Sequence, residues 1–85
     1  SLHGVPRLAP LRADSGFHLA PEDPDPRGYA VVGCDGQIAG TVVDVWADRS
    51  EYIARYHEMT VIATGQRALI PVNQCVVHRG RRVVE

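Results

Sequence analysis

Asp48 and Glu51, two carboxylates three residues apart, are the pair in this sequence best placed to do chemistry. They fall in Asp48-Arg49-Ser50-Glu51, a break between two β-like runs, where a short loop can aim both side chains in one direction. Carboxylates that are close together and partly desolvated resist ionising together, so one pKa rises toward neutrality. A group titrating near working pH accepts and releases protons at comparable cost, as a proton relay requires. The same spacing also suits an ordinary acidic loop in water, ion-paired to Arg49 or Arg55.

Other polar residues offer less. An exposed imidazole at His3, with a pKa near ~6.5, would collect protons, or the segment carrying it is simply disordered. Asp44, two residues before Trp46, is either a relay member or a hydrogen-bonded structural carboxylate. His18, His57 and His78 have no spaced partner that would make a metal or catalytic set. Cys34 and Cys75 give neither a metal spacing nor a CxxC pair, and are expected to be reduced, small apolar residues packed in strands. No nucleophile elbow, phosphate loop or zinc motif occurs, so no enzymatic activity and no metal site are expected.

These residues need a scaffold, and 85 residues allow one small domain. The apolar fraction is 45 % and the formal net charge −1, with nine basic side chains, all arginine. Such a balance makes no long-range field for nucleic acid or anionic lipid. No apolar run approaches the ~20 residues of a membrane-spanning helix. Residues 1–28 hold five of the six prolines and the acidic stretch Glu22-Asp23-Pro24-Asp25-Pro26. Proline lacks a backbone donor and biases its predecessor toward extended geometry, so this part reads as an extended arm without helix or central strand. Leu8, Leu11, Phe17 and Leu19 suit an arm that lies along a partner.

From Tyr29 to Glu85 the pattern is β. Cys34-Asp35-Gly36-Gln37 contains an Asp-Gly pair, which tolerates the positive φ of a tight hairpin turn, so antiparallel strands should flank it. Ile38 to Ala47 is valine-rich and alternating, with Val43, Val45 and Ala47 on one face and Asp44, Trp46 and Asp48 on the other. Gly40 suggests a bend or bulge there. Tyr52–Ala63, Ala68–Val72, Gln74–His78 and Arg82–Val84 follow, with Pro71 marking an edge strand or a bulge. About six short strands with frequent turns predict an all-β domain, a small closed or partly closed antiparallel barrel over 29–85. The chain stops at Glu85 just after a β-branched pair, which suggests a piece of a longer protein.

The segment Ile38-Ala39-Gly40-Thr41-Val42-Val43-Asp44-Val45-Trp46-Ala47-Asp48 resembles the start of the PRC barrel in the H subunit of purple-bacterial photosynthetic reaction centres. Glu51, Ala54-Arg55-Tyr56, Glu58 and Leu69-Ile70-Pro71 extend the likeness downstream, and His3-Gly4, Pro10 and Gly16-Phe17-His18 extend it into the arm. The resemblance implies a non-enzymatic subunit at the cytoplasmic face of the photosynthetic membrane, capping the L and M subunits. It implies no cofactor bound directly, with bacteriochlorophyll, bacteriopheophytin, quinones and non-haem iron held by those partners. It places Asp48, Glu51 and Asp44 on a proton route to the secondary quinone, His3 at the route's entrance and Arg55 at the subunit interface. At that entrance the family's second histidine is Val5 here and its aspartate is Ser1, so the entrance is thinner. PRC barrels also occur as ribosome-maturation modules and as free-standing soluble proteins. The tryptophan and the Gly-Phe-His arm favour the photosynthetic subunit.

Overall fold

In the computed structural model, which describes residues 7–85, the Asp-Gly pair turns the chain where the sequence predicts. Gly36 takes φ +81°, a left-handed backbone that glycine adopts without a Cβ penalty. The Gln37 amide donates to Asp35 Oδ1 at 3.0 Å and the Gly33 amide to the Gln37 carbonyl at 2.9 Å, closing the turn.

In chain order the strands are β1 (Leu8–Pro10), β2 (Ala30–Val32), β3 (Ile38–Asp48), β4 (Ile53–Val61), β5 (Arg67–Pro71), β6 (Val77–His78) and β7 (Val83–Val84). Short 3-10 turns occupy Leu11–Ala13 and Val72–Gln74. The strands form one sheet in the order β5-β4-β3-β2-β7-β6, with β1 added beside β3. No ladder joins β5 to β6 among the described residues, so the all-β barrel is partly closed. Pro71 ends β5, an edge strand, as its missing donor requires. One ladder departs from the antiparallel expectation: β2 and β7 run parallel, Ala30 opposite Val83. No tight turn links those two strands, so nothing local dictates their direction.

β3 is long because it serves three partners. β4 pairs along almost its whole length on one edge, while β2 takes its first half and β1 its last three residues on the other. The β3–β4 ladder slips by one residue between Val42 and Asp44 and again between Trp46 and Ala47. Bulges of this kind bend and twist a strand, as closure requires. They also shift the alternation. Val42 enters the main core with Tyr29, Val31, Met59 and Val84, and Val45 and Ala47 enter a second cluster. Val43, expected to share a face with Val45, is the bulged residue and only half-buried.

The arm is extended where it pairs and turns just after. Leu8–Pro10 forms a strand and Leu11–Ala13 a 3-10 turn. β1 sits at an edge, where Pro10 can pair opposite Trp46 without needing its missing donor. The apolar arm residues cover the chain's own barrel: Leu11 is buried against Val45 and Ala47, with Phe17, Leu19 and Ala54 packed beside them. Leu11→Ala should therefore lower unfolding free energy by about 2–4 kcal/mol, the usual cost of truncating a buried leucine. Urea denaturation checks this, and an unchanged midpoint would place Leu11 outside the cooperative core.

Both cysteines are free, as expected, but neither lies in a strand. Cys34 is exposed in the β2–β3 turn, and Cys75 follows the second 3-10 turn with its thiol directed at the Pro71 carbonyl at 3.4 Å. Among the described residues no helix is long and apolar enough to cross a membrane.

Candidate functional site

Two carboxylates face each other across the β3–β4 ladder, since Asp44 is the register partner of Glu58. They are 2 % and 4 % exposed. Like charges directly opposite in a sheet repel, and buried they would repel more strongly. Arg12 resolves the conflict. Its Nη1 donates to Asp44 Oδ2 at 2.9 Å and to Glu58 Oε1 at 2.8 Å, so one cation bridges both. The 3-10 turn after β1 carries Arg12 to this position, and the buried Leu11 anchors the turn.

Glu58 has two further donors. The Trp46 indole reaches Oε1 at 2.6 Å, and Arg67 Nη1 on β5 reaches Oε2 at 2.7 Å. Burial alone would push this carboxyl's pKa up, but the hydrogen bonds from Arg12, Trp46 and Arg67 outweigh it and hold the pKa at about 2. A shallow cavity of about 300 Å³ opens over this group, lined by Arg12, Trp46, Glu58, Arg67, Ala68 and Leu69. Asp44 also accepts a bond from the Val45 amide at 2.7 Å. Asp44 is thus a buried carboxylate held by hydrogen bonds.

Asp48 and Glu51 lie together at the β3–β4 turn, but not as a proton-sharing dyad. Asp48 Oδ1 accepts bonds from the Ser50 hydroxyl at 2.8 Å, the Ser50 amide at 2.9 Å and the Glu51 amide at 3.2 Å. Arg7 Nε binds Oδ2 at 2.9 Å. The Ser50 hydroxyl and Arg7 hold this carboxyl well below the usual range, against the opposing pull of burial. Asp48 is thus not the member of the pair whose pKa rises. Glu51 is half-exposed and sits between two arginines, Arg7 at 3.3 Å and Arg55 at 3.1 Å. Arg55 is itself about half-exposed, with Glu51 as its ion-pair partner. His3 lies outside the described residues.

A pattern emerges from these contacts. The segment 7–12 is fastened to β3 at both ends, Arg7 to Asp48 and Arg12 to Asp44. Asp14 adds a third pairing at 3.7 Å to Arg49. Among the described residues no cluster of three or more potential ligands could hold a metal ion.

A PRC-barrel domain matches residues 22–85. The chain belongs to the PRC-barrel family. The matched stretch holds β2 to β7, and so both bulges of β3 and the Asp44–Glu58 pair. The arm strand β1 and the cations Arg7 and Arg12 precede it, which makes the arginine-to-carboxylate fastening an addition to the PRC barrel from outside the matched residues.

Sequence reasoning found Asp44, Asp48 and Glu51 but assigned no role to Arg12, Glu58 or Arg67, which complete the charge network. A usable signal existed in Glu58. It sits mid-strand next to Met59, and a carboxylate at a buried strand position demands a cation. Which cation was not legible, because Arg12 lies 46 residues away.

Proposed function

We propose that this PRC barrel is the cytoplasmic region of a photosynthetic reaction-centre H subunit, capping the L and M subunits and helping protons reach the secondary quinone. The observation that carries the reading is the Ile38–Asp48 motif, whose three carboxylate-and-tryptophan positions, Asp44, Trp46 and Asp48, all make specific polar contacts. In this role the protein acts without catalysis of its own and binds no cofactor directly. Bacteriochlorophyll, bacteriopheophytin, quinones and non-haem iron belong to the partner subunits, at the cytoplasmic face of the photosynthetic membrane.

The geometry suggests a division of labour at the β3–β4 turn. Asp48, tied by four hydrogen bonds, is a fixed negative charge. Glu51, half-exposed, is the member open to exchange protons with water. Asp44 supplies a second fixed charge further along β3, His3 is the proposed entrance, and Arg55 offers its planar fork to backbone or carboxylate oxygens of a membrane subunit. In an assembled reaction centre, the double change Asp48→Asn, Glu51→Gln should slow proton-coupled quinone reduction by roughly tenfold or more, since positioned acid–base groups contribute ~10²-fold upward. Flash-induced proton uptake checks it, and unchanged kinetics would remove the relay role while leaving the cap. Affinity capture from purple-bacterial membranes tests the cap itself: pigment-bearing L and M subunits are the expected catch. Ribosomal proteins instead would overturn the reading in favour of a ribosome-maturation module.

A further inference from the structure

β4 carries a second buried ionisable group beside Glu58. His57 is only 5 % exposed, and its Nδ1 is shut off from solvent with no hydrogen-bond partner among the described residues. Its register partners are apolar, Val45 on β3 and Ile70 on β5. The residue lines a cavity of about 420 Å³, walled by Leu19, Asp23 and Pro24 of the arm and by Val72 and Cys75 of the segment linking β5 to β6. The two flanks are tied to each other by Arg79, whose Nη2 donates to the Glu22 carbonyl at 2.7 Å.

A neutral imidazole tolerates this place, because it carries one proton, which Nε2 can hold while Nδ1 stays bare. An imidazolium carries a proton on both nitrogens, so its Nδ1–H would lie dry and without an acceptor, and its charge without a partner. No compensating charge stands ready. Among the described residues His78 is the one histidine with an ion-pair carboxylate. Glu58, the neighbour in β4, has its oxygens committed to Arg12, Trp46 and Arg67. On the cavity wall Tyr52 and Cys75 offer only a hydroxyl and a thiol, and Asp23, the one carboxylate there, is exposed and unpaired with the ring. Burial accordingly lowers the His57 pKa below the ordinary 6.5. We propose that His57 is a proton-operated latch: charging its ring requires arm residues 19–24 and the 72–77 segment to move away from β4, opening the cavity side while the β2–β3–β4 core stays paired. The latch is independent of the reaction-centre reading and uses none of its residues.

The open form binds the proton first. A ring freed to water charges near pH 6.5, whereas the closed ring charges only at lower pH. Opening therefore becomes more favourable as pH falls below about 6.5, by up to about tenfold per pH unit for one proton, and levels off below the closed-state pKa. A charged His78 acts with the opposite sign, since it meets Glu85 at 3.6 Å in the closed form. Amide hydrogen exchange of the full 85-residue chain, followed by NMR from pH 7.5 to pH 5, tests the latch. The Cys75 and Val76 amides, bonded to the Val72 and Glu85 carbonyls, report the moving flank. Between pH 6.5 and pH 5 their protection factors should fall by about tenfold. At every pH they should stay below that of the Val42 amide, which is bonded to the Tyr29 carbonyl in the main core. The Gly33 amide of the β2–β3 turn opens without releasing His57, so its protection should not change. In folded His57→Leu the fall at Cys75 and Val76 should vanish, and its persistence would overturn the proposal. So would protection there that is constant over this range, protection equal to that of Val42, or a His57 ring titrating at or above pH 6.5 in the folded chain. The last three readouts need only the unaltered protein, so a misfolded His57→Leu would not shelter the latch.

Discussion

Gly40→Ala is expected to cost about 3 kcal/mol or more and to lower the melting temperature by roughly 15 °C, a drop large enough to leave little folded protein at 37 °C. Gly40 lies in β3 opposite Val61 of β4 and Val31 of β2. A Cβ placed there would collide with the Thr60 carbonyl oxygen and with Met59 Cε. The methionine end can swing away, but the carbonyl belongs to the β4 backbone and cannot. Relief would require β3 and β4 to separate at the centre of the main core, where Val42 and Met59 pack side by side. The backbone at Gly40 is not left-handed, so the penalty is one of space alone. Serine should therefore be as damaging as alanine. Thermal unfolding followed by circular dichroism measures the effect. A melting temperature within a few degrees of the unaltered protein would mean that β3 and β4 do not approach this closely.

The second large effect concerns Glu58. Glu58→Gln should lower stability by about 2–3 kcal/mol at neutral pH, because hydrogen bonds to a charged acceptor are worth ~1.5–3 kcal/mol and three donors converge on this one. Glutamine keeps the shape and removes the charge, leaving Arg12 to answer Asp44 alone and one of its oxygen sites replaced by a donor. The carboxylate also sets a pH dependence. Its folded pKa, about 2, lies below its ordinary value near 4.5. The unfolded chain therefore binds the proton first as pH falls. Stability from Glu58 is fully present above about pH 4.5 and disappears as pH falls toward about 2. Asp48, whose pKa is also depressed, adds loss in the same direction at lower pH. Urea midpoints measured from pH 6 to pH 2 should fall less steeply in Glu58→Gln than in the unaltered protein. Parallel curves would mean that Glu58 carries no more charge-dependent stability than a surface carboxylate.

β3 divides its residues between close packing and charge pairing. Its first half is committed to close packing, with Gly40 and Val42 pressed against β4. Its second half turns Asp44, Trp46 and Asp48 toward the arm and β5, where they meet Arg12, Glu58 and Arg7. The bulge at Val43 separates the two uses by resetting which residues face inward. Without that slip, Val43 and Val45 would share the core face and Val42 would be excluded from it.

Local chemistry was enough to determine part of this protein. The Asp-Gly turn, the edge position of Pro71 and the run of short strands all follow from backbone preferences that act within a few residues. The acidic pair at the β3–β4 break was visible for the same reason, because Asp48 and Glu51 are near neighbours in the chain. Only the tertiary structure decided what those residues do. Arg7 and Arg12 come from a proline-rich segment that reads as an arm laid along a partner, yet they supply the cations for Asp48, Asp44 and Glu58 across 32 to 46 residues. Register slips at two points of β3 cannot be read from alternation, since a bulge leaves composition unchanged and alters only pairing. The parallel β2–β7 ladder likewise depends on two segments far apart in the chain meeting. Turns and strand tendencies are short-range and were legible. Ion pairing, register and cavities are long-range, and required the fold.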